Sequence, residues 1–195
     1  AHLYERYLTN TKEVECTDRM IEALFLTMIH EGPRAIAEPD NYEARANIMW
    51  AGMMAHNNSC GVGRTQDWTS HSIEHELSAL YDCAHGAGLA VVMPAVFTYN
   101  LQHDVMRFAQ AAVRVWGCQM DFGNPQRTAV EGIEALRSFL ISIGMPKNFA
   151  ELGAREEDIE KLAHTACYGD VEAGTTGGFV PLGQKDVEAV YRLML

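Results

Sequence analysis

Three histidines crowd one short stretch of this chain: His71 and His75 in Ser70-His71-Ser72-Ile73-Glu74-His75, and His85 in Ala84-His85-Gly86. Imidazole nitrogens bind first-row divalent metals and exchange protons near neutral pH. His71 and His75 stand four positions apart, so a helix projects both from one face. A helix-breaking stretch, Tyr81-Asp82-Cys83, separates them from His85. A turn there would fold a second helix back and bring the third imidazole to the first two. Several readings fit this spacing. His71-Ser72-Ile73-Glu74-His75 matches the H-x-x-E-H pattern of zinc peptidases, in which both histidines bind zinc and the glutamate is the general base. That reading needs a further ligand downstream, for which Glu151, Glu156, Glu157 and Glu160 are candidates in a highly charged, solvent-facing stretch. Alternatively, His71 and His85 share a metal that polarises a substrate oxygen, and His75 relays a proton one helical turn away. A third reading is a non-catalytic helical interaction domain with accidental histidines, which requires His71 and His85 to lie too far apart to share an ion. Spacing alone does not choose among them.

The elements that must position these residues are helical. Thr17-Asp18 reads as a cap, followed by Met20, Ile21, Leu24, Phe25, Met28 and Ile29 at three-and-four spacing, with Gly32-Pro33 ending or bending the helix. Asp40 or Asn41 caps the next helix, whose expected buried face is Ala44, Ile48, Met49, Gly52, Met53 and Ala55. Asp67 is the expected N-cap of the helix carrying His71 and His75, after an Asn57-to-Gly63 loop. The apolar run 86–97 reads as a buried core helix, and His103 to Trp116 as an amphipathic one ended by Gly117. Asn124-Pro125 opens a long helix to Gly144. A charged helix runs from Glu156 to Tyr168, ended by Gly169, and the last from about Gln184 to Leu195. The segment 174–181 reads as a flexible loop, and the methionines as packing residues. No convincing strand is present, so the expected fold is a single all-α domain over 1–195.

Composition narrows the partners. A net charge of -11 argues against binding to a phosphate backbone, so no nucleic acid partner is expected. The longest apolar run is too short to span a bilayer, and no signal-peptide pattern opens the chain. Five cysteines without zinc-ribbon or redox spacing read as reduced thiols, which suits a cytoplasmic protein. The chain begins without methionine, directly in helical pattern, as if something upstream had been removed. His30, at an expected helix end, and His56, before the Asn57-Asn58 loop, read as ordinary histidines, with His56 weighed as a support to a metal site. His103 and His164 read as surface residues.

Asp67-Trp68-Thr69-Ser70-His71 through His85-Gly86-Ala87-Gly88-Leu89-Ala90 resembles the signature of iron-containing (group III) alcohol dehydrogenases, most closely the butanol dehydrogenase branch. Ala1-His2-Leu3-Tyr4-Glu5-Arg6-Tyr7, Asn41 through Trp50 and Lys185 through Tyr191 agree, so the resemblance spans essentially the whole chain. It implies the C-terminal all-α domain of that family, dehydroquinate synthase-like in fold, with an N-terminal dinucleotide-binding domain absent from this chain. The family holds its metal with an aspartate and three histidines, which implies His2, His71 and His85 as ligands, with the aspartate one helical turn before His2 and outside the chain. His75 corresponds to the family's unliganded histidine near nicotinamide and substrate, a candidate for proton delivery or cofactor contact. The resemblance also implies a divalent metal (iron by family, with zinc or nickel possible), NADP or NAD, a small primary alcohol or aldehyde substrate, and a homodimer. Losing the carboxylate ligand should weaken a hard ion such as Fe²⁺ more than zinc or nickel. Alone, the chain is expected to be inactive. Trp68 is near enough in sequence either to line the substrate cleft or simply to pack between helices.

Overall fold

A helix that is apolar on every side has to be surrounded by others. The segment from Gly88 to Phe97 is such a helix: every residue in it is buried in the computed structural model, which describes residues 1–168 and 174–195. Among the described residues nine α-helices follow in order: α1 (His2–Tyr7), α2 (Glu15–Ala37), α3 (Tyr42–His56), α4 (Thr69–Tyr81), α5 (His85–Asn100), α6 (Val105–Trp116), α7 (Pro125–Ser142), α8 (Ile159–Ala166) and α9 (Gln184–Arg192). Single 3₁₀ turns at Ala150–Leu152 and Glu156–Asp158 precede α8. The β-structure among the described residues is one bridge between Thr176 and Leu182. The all-α architecture expected from the periodicity is therefore what the chain adopts.

Helices adjacent in sequence pack in pairs, α2 on α3, α4 on α5, α6 on α7 and α8 on α9, as connections of these lengths favour. Helix α5 lies against α4, α7 and α9. Helix α1 is only six residues long, yet Leu3 through Tyr7 are all buried and it touches α2 and α3. One contiguous apolar cluster runs through the whole set, from Leu3 to Met194. Several ends follow local chemistry: the Asn41 side chain accepts from the Ala44 N–H, Gly117 closes α6 at φ +70, and Pro125 opens α7. No described helix is long and apolar enough to cross a membrane.

Other boundaries differ, and each difference has a tertiary cause. Asp18 lies inside α2, which starts at Glu15, because its carboxylate is engaged by Arg64 and Arg107 rather than by α2's own N–H groups. Gly32-Pro33 does not end α2, which continues to Ala37 while Arg34 and Glu31 pair at 2.8 Å across the proline. His30 is therefore within α2 and meets Glu31 rather than terminal carbonyls. Asp67 does not cap α4. It accepts instead from the Thr69 hydroxyl and from the backbone N–H groups of Gly178 and Phe179. Those bonds, with Phe179 2% exposed, tie the segment expected to be flexible against the start of α4. His103 precedes α6, which Asp104 caps through the Arg107 N–H. The outer face of α3 is exposed, Met49 at 77% and Trp50 at 66%, so Met49 and Met53 are not core residues. The expected helix end at Gly169 lies outside the described residues.

Candidate metal centre

Three helices bring the histidines together, one of them distant in sequence from the other two. His2 opens α1, His71 and His75 occupy successive turns of α4, and His85 opens α5. The α4–α5 turn passes through Asp82 in the left-handed region at φ 52, which folds α5 back along α4 as the Tyr81-Asp82-Cys83 break suggested. Ring centroids lie 4.5 Å apart for His2 and His71, 5.2 Å for His71 and His85, and 5.3 Å for His75 and His85. His71 and His75 are 6.0 Å apart. The sequence candidates thus share one place, and the His71–His85 separation suits a common ion, against the accidental-histidine reading.

The Nδ1 of the buried His71 ring and the Nδ1 of the exposed His85 ring each meet a carboxylate. The Nδ1 of His71 hydrogen-bonds with Glu5 Oε2, while Glu5 Oε1 accepts from the His71 backbone N–H at 3.0 Å. The Nδ1 of His85 hydrogen-bonds with Glu74 Oε2, and the Ser78 hydroxyl donates to Glu74 Oε1. Both glutamates are fully buried. The Nε2 of His71 is buried and has no hydrogen-bond partner. A buried imidazole nitrogen without a partner, on a ring that has two further imidazoles within 5.2 Å, is a donor that a metal would satisfy. By donor chemistry, His2, His71 and His85 could offer a divalent ion three imidazole nitrogens. Burial, then the neighbouring His71 and His56, lowers the His2 imidazole to about 3, which keeps it neutral.

Among the described residues, the group whose donor atoms all lie within 4.8 Å of one another is Glu74, His75 and His85. Two observations weigh against that set. Glu74 already has both oxygens engaged by His85 and Ser78, and the set leaves the His71 Nε2 unsatisfied. The peptidase arrangement does not assemble either: Glu151, Glu156, Glu157 and Glu160 are all exposed, and Glu157 pairs with Arg155 at 2.7 Å.

The Trp68 ring lies 5.2 Å from His71 and 5.5 Å from His2. Its backbone is left-handed at φ 70, an uncommon conformation for a bulky residue that costs of order 1–3 kcal/mol. The Arg6 guanidinium 5.1 Å from the indole centroid helps hold it there. His56 ends α3 with its ring 3.9 Å from His2. His103 and His164 lie elsewhere, meeting Asn10 and Gln184. Sequence reasoning missed Glu5. The available signal was a carboxylate one turn after His2 inside an otherwise apolar Leu3-Tyr4-Tyr7 face.

The family model described as "Fe-containing alcohol dehydrogenase family, C-terminal" matches residues 1–195. The chain belongs to the iron-containing alcohol dehydrogenase family. It is 36% identical over 194 residues to the NADH-dependent butanol dehydrogenase B of Clostridium acetobutylicum, covering 98% of this chain and 49% of that protein. It is 35% identical over 161 residues to the NADPH-dependent aldehyde reductase YqhD of Escherichia coli, covering 83% of this chain and 41% of that one. Among solved structures, the NADH-dependent butanol dehydrogenase A of Thermotoga maritima superposes with a TM-score of 0.91 at 34% identity, over 99% of this chain and 49% of that one. The chain spans about half the length of the curated relatives it matches. The helical fold is the C-terminal fold of this iron-containing alcohol dehydrogenase family.

Proposed function

We propose that this chain is the metal-binding helical part of an NAD- or NADP-dependent alcohol dehydrogenase or aldehyde reductase that handles small primary alcohols and aldehydes. The single observation that carries this is the unpartnered, buried Nε2 of His71, a ring 4.5 Å from that of His2 and 5.2 Å from that of His85. Relatives named as butanol dehydrogenases and an aldehyde reductase support the substrate class and the nicotinamide cofactor. On this reading His2, His71 and His85 hold the ion, iron by family, and the family's aspartate would come one helical turn before His2. When bound, the metal supplies Lewis acidity at a substrate oxygen, and the nicotinamide exchanges the hydride. His75 is exposed on the same helix face as His71, where it gives or takes a proton at that oxygen. Trp68 walls the same place and excludes water from one side of it. The nucleotide site is assigned to an N-terminal domain, because this chain carries no Gly-rich strand-turn-helix fingerprint. The whole protein is read as a cytoplasmic homodimer.

Titration with zinc tests the ligand set. The chain should take up one ion, and His71→Ala or His85→Ala should weaken it by roughly 100-fold or more, while His103→Ala leaves it unchanged. Adding one upstream helical turn with its aspartate should tighten binding. The chain alone should not oxidise butanol with either nicotinamide, whereas a protein that includes the nucleotide domain should. Zinc binding indifferent to both His71 and His85 would overturn the assignment.

A further inference from the structure

Glu5 and Glu74 are an unusual pair. Each is fully buried, and their ion-pair partners among the described residues are histidines alone, with no lysine or arginine. A buried carboxylate without compensation is strongly disfavoured, so each must be satisfied by what it touches. What each touches is the Nδ1 of one candidate metal ligand. An ionised carboxylate can only accept, so the proton in each contact has to sit on the imidazole. On a neutral ring that leaves Nε2 bare, and Nε2 is the nitrogen that is orphaned in His71. We infer that Glu5 and Glu74 are positioning residues that lock His71 and His85 as Nδ1–H tautomers, leaving both Nε2 lone pairs free for coordination. The coordination half of this inference rests on the metal-binding reading above, and the tautomer half does not.

The packing around Glu74 is built for this role. A Cβ on Gly88 of α5 would stand 2.3 Å from Glu74 Oε1 and 2.7 Å from its Cγ. A glycine there lets α5 approach closely enough for the Glu74 side chain to reach His85 across the helix interface. The two glutamates also differ in a way that separates charge from tautomer. Glu5 accepts from two groups that can both only donate in this arrangement, the His71 backbone N–H and the His71 ring. Glutamine at position 5 has one oxygen for two donors. If that oxygen keeps the backbone N–H, its NH₂ faces Nδ1 and drives the proton to Nε2. Glu74 accepts instead from a hydroxyl, which can rotate to accept from an amide and donate to the Cys83 carbonyl at 3.3 Å. Glutamine at position 74 therefore removes the charge and preserves the tautomer.

Long-range ¹H–¹⁵N spectra of the imidazoles in the metal-free chain read this directly, and zinc titration calorimetry reads its consequence. Wild-type His71 and His85 should both show the Nδ1–H pattern, the minor form of a free neutral histidine. Glu5→Gln should switch His71 to Nε2–H and weaken zinc by about 10–100-fold. Glu74→Gln should leave His85 as Nδ1–H with a smaller loss. Gly88→Ala, which displaces the Glu74 carboxylate without neutralising it, should release the His85 tautomer and leave the His71 signals in place. Nε2–H patterns for His71 and His85 in the wild type overturn the inference, with no variant required. So does wild-type zinc affinity in both glutamine variants. Nδ1–H tautomers together with no zinc binding at all would support the lock and overturn the metal-binding reading instead.

Discussion

Asp18 shows how a single charged residue can govern stability while lying away from the histidines. Its carboxylate is 2% exposed and takes Arg64, itself fully buried, at 2.9 Å, together with Arg107 and Gln110. Arg64 and Arg107 also donate to the Arg6 and Tyr7 carbonyls, so Asp18 organises the exit of α1. Burial pushes the Asp18 carboxyl up, but the hydrogen bonds from Arg107 and Arg64 outweigh it and hold the group below the usual carboxylate range. A carboxyl depressed in the folded state contributes stability that is complete above its unfolded value of about 3.9 and is lost as pH falls through the folded value. Asp18→Asn should cost about 3–5 kcal/mol at pH 7, since it strands two buried guanidinium groups. The gap to wild type should narrow as pH drops below 4, a result that urea unfolding at pH 7 and pH 3 would check. The sequence could not place this residue. Thr17-Asp18 is a good local cap signal, and arginines 46 and 89 positions away leave no trace in a local pattern.

Helix pairs reveal a similar boundary between local and tertiary information. The paired α6 and α7 were legible from their periods and from Gly117 and Pro125, which mark two of their ends locally, although Asn124 makes no side-chain cap. Their closeness was not. A Cβ on Gly132 would stand 2.4 Å from the Ala112 Cβ and 2.8 Å from its Cα, and backbone cannot move aside as a flexible side chain can. Gly132→Ala should therefore destabilise by about 1–3 kcal/mol through overpacking, despite alanine's helix propensity advantage of about 1 kcal/mol. A thermal melt that rises on this substitution would contradict the close crossing. The α3 face illustrates the opposite error. Its apolar residues recur at helical spacing, which reads as core, yet Met49 and Trp50 face outward while Ala44, Ala51 and Ala55 make the contact. Small residues pack there because α3 lies close against α2. Met49→Gln and Trp50→Gln should each change stability by no more than about 0.5 kcal/mol, measurable by denaturant unfolding.

Across the whole molecule, the candidate centre joins α1, α4 and α5, which begin at residues 2, 69 and 85. The histidines of this centre were legible because their types and spacing, with the family resemblance, name them without a structure. Glu5 was not, since a buried carboxylate differs from a surface one only in what surrounds it. This geometry makes a metal a cross-link between the short N-terminal helix and the core. An ion that binds only the folded state stabilises it by about 2.7 kcal/mol when free ion reaches one hundred times Kd. For a chain of this size that corresponds to a melting temperature higher by on the order of 5–10 °C. Zinc should produce this shift, and a chelator should reverse it. His71→Ala should abolish it, whereas His30→Ala, on α2 and paired with Glu31, should preserve it. A melting temperature that stays flat as zinc is added at neutral pH would mean that the three imidazoles do not act as one site.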